Sequence, residues 1–179
     1  MAAFLWIFWS FSFLGWVLER LFAAVTRSPQ RRRRCLLLLP LCPVYGLGMA
    51  AVLALPPSLR SGWPLYLWGG LTATSVEYIY HWWGETFLSV SFWDYTGVFG
   101  NLRGRVCLPF SLAWGLLLFP AVYLVTPPVL ALADRVPVGV TWWLLLAFTA
   151  DAVCSLRFLA VTHDLEALRA VIWPVSADR

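Results

Sequence analysis

Apolar residues run along this chain in long blocks with few polar interruptions, and the blocks set its organisation. A membrane-crossing helix needs about 20 mostly apolar residues to traverse about 30 Å of hydrocarbon. Five stretches meet or approach that length: 4–25, 35–55, 64–88, 106–125 and 138–161. The pattern predicts an all-α, polytopic integral membrane helix bundle with about five transmembrane helices, forming a single membrane domain over 1–179. The second stretch carries Pro40 and Pro43, each of which removes a backbone donor and clashes with the preceding turn. That helix is expected to be proline-kinked or partly interfacial, with Gly46 and Gly48 permitting close helix approach. Residues 89–105 are expected as a folded cytoplasmic loop and 162–179 as a cytoplasmic tail.

Composition agrees with the pattern. Of 179 residues, 61% are hydrophobic and 12% charged, against about 45–50% and about 25% in soluble domains. The net charge is +4, every basic residue is Arg, and five Arg lie between Thr26 and Cys35. Beside an apolar segment, such a cluster reads as a topology signal, with Arg31, Arg32, Arg33 and Arg34 meeting anionic headgroups of the lipid bilayer. No nucleic-acid-binding motif accompanies it, so nucleic acid is not an expected partner. With the N-terminus outside, nine Arg fall in inner loops and tail and two in outer loops. The expected orientation is therefore N-out, C-in. Trp6, Trp9, Trp63, Trp68, Trp142 and Trp143 would form an outer belt, and Trp82, Trp83, Trp93 and Trp173 an inner one. Cys35, Cys42, Cys107 and Cys154 include no CxxC pair, and buried free thiols are expected. The first apolar stretch lacks a basic n-region and a cleavage site, so it is expected to remain as the first span.

Charges inside the apolar blocks carry the functional signal. An ionised side chain at a helix centre costs about 2.5–3.5 kcal/mol, so it faces the bundle interior and finds partners. Glu19 and Arg20 stand near the end of the first block, Asp151 and Arg157 in the fifth. Glu77, His81 and Glu85 recur at i, i+4 and i+8 in the third, which places them along one helix face. Such a stripe either fixes helix packing through hydrogen bonds or lines a ligand or ion path. The paired Glu-x-x-His pattern of di-metal bundles is absent, and no metal or cofactor is expected. The connector SFWDYTGVFGNLRGR, 91–105, is rich in polar and aromatic residues. Inward-running first and third helices bring Asp94, Asn101, Arg103 and Arg105 toward Glu19 and Glu85. Gly97, Gly100 and Gly104 let the backbone turn tightly. The connector is thus expected to be a folded cap over a polar interior.

The blocks FLGWVLERLF, CPVYGLG, SVEYIYHWWGE and FWDYTGVFGNLRGRVCLPFSLAWG resemble the CmpB-like family, small bacterial membrane proteins described as type IV ABC-transporter permeases. A more distant similarity links them to the transmembrane protein 229 group. The resemblance spans roughly 11–118 and is most specific over Trp93-Asp94-Tyr95 to Asn101 and Gly104. Carried over, the family pattern falls on Gly15, Trp16, Glu19, Pro43, Tyr45, Gly46, Glu77, Glu85, Trp93, Asp94, Tyr95, Asn101, Gly104 and Cys107. A small residue usually stands where this chain has His81, which makes His81 a local feature.

Three readings follow. The resemblance implies a permease-like transport component of the bacterial cytoplasmic membrane, multi-pass, with a polar cavity open toward the cytoplasmic face. That cavity would be lined by Glu19, Tyr45, Glu77, His81, Glu85, Trp93, Asp94, Tyr95, Asn101, Arg103 and Arg105. No Walker-type motif is present, so ATP hydrolysis would come from a separate ATPase subunit, and so few spans call for a homo-oligomer or membrane partner. The second reading is a membrane-embedded enzyme acting on a lipid or prenyl substrate, although no catalytic set with recognisable spacing appears. The third is a non-catalytic accessory or assembly protein whose polar groups serve packing specificity.

Overall fold

The computed structural model describes residues 2–26 and 35–170. Arg27, Arg31–Arg34, Trp173 and Arg179, on which part of the orientation and headgroup expectation rests, lie outside the described residues. The described chain is an all-α bundle with one small hairpin. The first helix is Ala2–Thr26 and the second Pro43–Ala54. The third is helical without a break over 62–88, where π-helical turns at Leu65–Gly69 and Gly84–Leu88 flank the α-helix Gly70–Trp83. The fourth occupies Leu108–Arg135 and the fifth Val138–Thr162, followed by the short helix Leu165–Ala170. Among the described residues, Ala2–Val25, Leu108–Arg135 and Val138–Thr162 are long and apolar enough to cross a membrane.

The second and fourth spans differ most from expectation, and in both the placement of proline matters. The second stretch is helical only over Pro43–Ala54, 12 residues, or about 18 Å at 1.5 Å per residue. Residues 35–42 are non-helical, because Pro40 and Pro43 cannot donate to a continuous ladder. Pro43 instead opens the helix, where a missing N–H is harmless. The fourth helix runs on beyond 125, through Pro120, Pro127 and Pro128. A π-helical turn at Ala121–Val125 absorbs the register change, and the later prolines sit in the first turn of Thr126–Arg135.

The break also corrects the thiol expectation. Cys35 and Cys42 form a disulfide with Cα atoms 5.2 Å apart. On a continuous helix seven residues would separate them by about 10.5 Å, too far to bridge. Cys107 and Cys154 are free.

Within lipid there is little hydrophobic force between helices, so close backbone approach does much of the packing. A Cβ on Gly15 would fall on the Tyr45 ring, and one on Gly46 on the Phe8 carbonyl and the Ser12 hydroxyl. The first and second helices therefore cross at backbone distance. Gly48, expected to act likewise, has nothing within 4 Å of its Cβ position. The second helix also packs on the third and the third on the fourth, while the first reaches the end of the fourth. The fifth helix is peripheral, held by Phe8 against Phe148 with ring centroids 5.3 Å apart. At one end of the bundle Trp6 Nε1 donates to Thr141 Oγ1 at 3.1 Å. At the other, His163 Nδ1 lies 2.7 Å from the Leu88 carbonyl. Trp9 and Trp93, expected in interfacial belts, are instead buried.

Candidate functional site

The connector between the third and fourth helices is a folded unit. Strands Asn101–Leu102 and Val106–Cys107 pair antiparallel, with Leu102 opposite Val106. Arg103 and Gly104 between them have φ of +55° and +70°, and the Arg105 amide donates to the Leu102 carbonyl at 3.1 Å. Two successive positive φ values make the primed turn that matches strand twist. Asn101 braces the unit: its Nδ2 donates to the Thr96 and Val98 carbonyls, and its Oδ1 accepts from the Gly104 amide.

This unit docks on the third helix at His81, Glu85 and Tyr78. His81, 1% exposed, presents Nε2 2.7 Å from the Trp93 carbonyl. Trp93 Nε1 donates to the Arg105 carbonyl at 2.7 Å. Arg105 Nε donates to Glu85 Oε2 at 2.7 Å, and its Nη1 to the Tyr78 hydroxyl at 2.8 Å. His81 Nδ1 lies 3.5 Å from Glu85 Oε1. His81, Glu85, Trp93 and Arg105 thus form a clamp that seats the connector. Replacing Arg105 with Gln is expected to lower the melting temperature by a few degrees. In a Glu85→Gln background the same change should cost less, because the pair is already broken and only the Tyr78 bond remains to lose; fully additive losses in that double-mutant cycle would refute the link.

Asp94, expected to approach Glu19 and Glu85, makes its hydrogen bonds within its own loop. Asp94 is exposed and accepts from its own loop, from the Thr96 hydroxyl and from the Thr96 amide at 2.8 Å. These two bonds hold its carboxyl below the usual carboxylate range. An Asp two residues before a donor closes this local ring more readily than it reaches a distant guanidinium. Arg103, expected to approach the same acids, is exposed at the turn.

Glu77 forms the second part of the site. It is 2% exposed on the third helix, and Trp114 Nε1 from the fourth donates to its Oε2 at 2.8 Å. The Tyr95 hydroxyl donates to Oε1 at 3.4 Å, and the Tyr95 ring stacks on Phe110 at 5.0 Å. On the first helix Glu19 accepts from the Tyr45 hydroxyl. The Tyr45 and Trp114 rings meet edge to face, centroids 5.4 Å apart. Two carboxyl groups from two helices therefore each hold one ring of the same aromatic pair.

That pair stands between two cavities. The larger, about 270 Å³, is lined by Phe11, Gly48, Met49, Glu77 and Leu118. The smaller, about 220 Å³, is lined by Glu19, Phe22, Asp94, Tyr95 and Phe110. Both share Leu18, Tyr45, Trp114 and Leu117. Their walls are mainly apolar, with the carboxyl groups as isolated polar points. The stripe read along the third helix is thus divided: Glu77 faces the larger cavity, while His81 and Glu85 face the connector. Among the described residues no three His, Cys, Asp or Glu side chains are grouped to hold one metal ion.

Asp151 occupies a third polar position. Halfway along the fifth helix, its Oδ1 accepts from the Leu38 amide at 3.1 Å and its Oδ2 from the Leu39 amide at 2.9 Å. Ser155 Oγ also donates to Oδ1 at 3.0 Å. Non-helical backbone at membrane depth persists only where protein or water satisfies it, and this carboxylate supplies that satisfaction. The Cys42 amide is met by the Ser12 carbonyl at 2.8 Å, again halfway along a long helix.

Trp114, Phe110, Phe22 and Tyr78 escaped the sequence reading. Trp114 carried a usable signal: it lies in the middle of an apolar block, too far inward for an interfacial belt, and a buried indole N–H requires an acceptor.

Three described helices long and apolar enough to cross a membrane, packed about the buried Glu77, define a membrane protein. Residues 6–156 match the family described as "Putative ABC-transporter type IV", CmpB, and the chain belongs to that family. No curated protein and no solved structure matches the chain.

Proposed function

We propose that this protein is a permease-like transport component whose paired cavities form the ligand path, opening toward the cytoplasmic face. The observation that carries the reading is the aromatic pair Tyr45 and Trp114, pinned by Glu19 and Glu77 between the two cavities. A second helix that starts only halfway across supports it, because broken helices beside a mid-membrane site are a recurrent transporter device. An enzyme could draw acid, base and phosphate-binding roles from Glu19, Asp94, His81, Arg103 and Arg105, but of these only Glu19 and Asp94 line the cavities, while His81 and Arg105 are engaged in the clamp.

Gly48→Leu provides the direct test. Its side chain would enter the larger cavity, where nothing lies within 4 Å of the Cβ position. Proteoliposomes are assayed for uptake of radiolabelled cationic, zwitterionic, neutral and anionic small solutes. Uptake of at least one solute, cut about tenfold or more in the variant at unchanged melting temperature, is the expected result. Undiminished uptake with the cavity filled would defeat the reading.

The same proposal places the protein in the bacterial inner membrane as a multi-pass, N-out, C-in chain served by a separate ATPase and acting as a homo-oligomer or with a membrane partner. Single Cys residues introduced at Gly62 and Gly97 should then label from opposite sides with an impermeant maleimide. Labelling of both from one side would remove this topology.

A further inference from the structure

We propose that the larger cavity is a lipid site: it takes one acyl chain of a bilayer phospholipid, which enters sideways between the first and fourth helices. The inference rests on the reading that the larger cavity belongs to the ligand path. It names the apolar part of the ligand and the opening it uses.

Room for the chain is made by small side chains and one change of helix type. Gly48 on the second helix leaves open space at its Cβ position. Ala73 on the third helix and Ala121 on the fourth line the same cavity. Ala121 begins the π-helical turn Ala121–Val125, directly after Pro120, and π-turns within α-helices recur at functional sites. The second, third and fourth helices therefore each withdraw bulk from one place, and the space left is about 270 Å³. An apolar cavity of about 150 Å³ already stays dry and admits benzene, so this one has room for a longer molecule.

The opening is marked by residues that belong both to the lining and to the outer surface. Leu14, halfway along the first helix, is 41% exposed, and Leu117 on the fourth is 43% exposed. Both helices are long and apolar enough to cross a membrane, so hydrocarbon surrounds these leucines. Farther in, Met49 is 3% and Leu118 7% exposed. The lining thus runs from the lipid-facing surface to the bundle core, and the cavity is continuous with the bilayer interior.

Water is a poor filling for this space. A buried water makes about 2–4 hydrogen bonds, whereas the polar side chains on this wall are already engaged: Tyr45 with Glu19, and Trp114 with Glu77. A void is also poor, because its walls forfeit dispersion contacts. A methylene chain restores those contacts and bends easily enough to turn in at mid-membrane. A water-soluble molecule would have to cross hydrocarbon to reach this opening, whereas the tails of bilayer lipids already stand beside it.

The probe is a phosphatidylcholine carrying a diazirine near the terminal methyl of one acyl chain. It is mixed into phosphatidylcholine vesicles holding the full chain, irradiated, and its insertion sites are mapped by peptide mass spectrometry. Met49 and Leu118 should be labelled, although both are buried. Gly48→Leu fills the cavity from the second helix and should cut labelling at both residues at least about fivefold, since close-packed side chains leave no room for a guest. Ala121→Phe fills it from the fourth helix and should do the same, so that one variant serves if the other fails to fold. Leu146 and Val161, exposed on the fifth helix, should label equally in every sample. Melting temperatures taken on each variant separate a filled cavity from a lost fold.

Labelling confined to exposed residues, with none at Met49 and Leu118, overturns the inference. So does labelling of these two that neither folded variant reduces. The transport reading is judged separately. If Gly48→Leu cuts solute uptake while Met49 and Leu118 stay unlabelled, only the lipid site falls. If both residues label and respond to the variants but no uptake responds to Gly48→Leu, the transport reading falls and the lipid site stands.

Discussion

Replacing Asp151 with Ala is expected to lower the melting temperature of the detergent-solubilised protein by on the order of 10 °C. The carboxylate accepts from two backbone amides of the non-helical 35–42 segment, at 3.1 and 2.9 Å. A donor left unsatisfied away from water costs about 1–3 kcal/mol, so two cost about 2–6 kcal/mol. For a chain of this size each kcal/mol corresponds to roughly 2–4 °C. Asp151→Asn keeps one carbonyl acceptor but presents an NH₂ to the other amide, and should fall between parent and Ala. The Ala variant should also free the segment bearing the Cys35–Cys42 disulfide, making it more susceptible to reductant. An Ala variant that melts within a degree of the parent would remove Asp151 from this role.

Gly46→Ala and Gly48→Ala, two residues apart on one helix, should have opposite signs. At Gly46 the added methyl falls on the Phe8 carbonyl oxygen and the Ser12 hydroxyl. The Phe8 oxygen belongs to a helix backbone and cannot rotate away, so the two helices must separate. Overpacking of this kind costs about 1–3 kcal/mol. The loss extends to the site, because the Tyr45 ring also lies on Gly15 and reaches Glu19 from that crossing. At Gly48 the methyl meets open cavity, and replacing a helical Gly gains about 1 kcal/mol of helix propensity. Thermal melts should therefore fall for Gly46→Ala and hold or rise for Gly48→Ala. A similar response at both positions would mean that the helices do not cross at Gly46.

The candidate site was partly legible before any coordinates. Glu19, Tyr45, Glu77 and Tyr95 do gather around the cavities, because an acid within an apolar block has nowhere to go but inward. Arg105 does meet Glu85, because the hairpin carries the far end of the connector back against the third helix. Asp94 lines the smaller cavity, but its bonding was not legible because it is local: a Thr two residues on satisfies it before any long-range partner can. The role of Asp151 was invisible for a different reason. Its partners are backbone amides more than a hundred residues away, and an amide carries no label in a sequence.

Residue order alone decides the all-α class, since long runs of apolar side chains can satisfy their backbone in lipid only as helices. It also decides that the second stretch must break, since proline lacks the N–H wherever the chain goes. Which face of each helix meets which neighbour is settled only by packing in three dimensions. There the Gly15 and Gly46 crossing brings Tyr45 to Glu19, and the third and fourth helices bring Trp114 to Glu77. Both cavities lie in the gap those crossings leave. A gap belongs to no single residue, so no pattern along the chain can announce it.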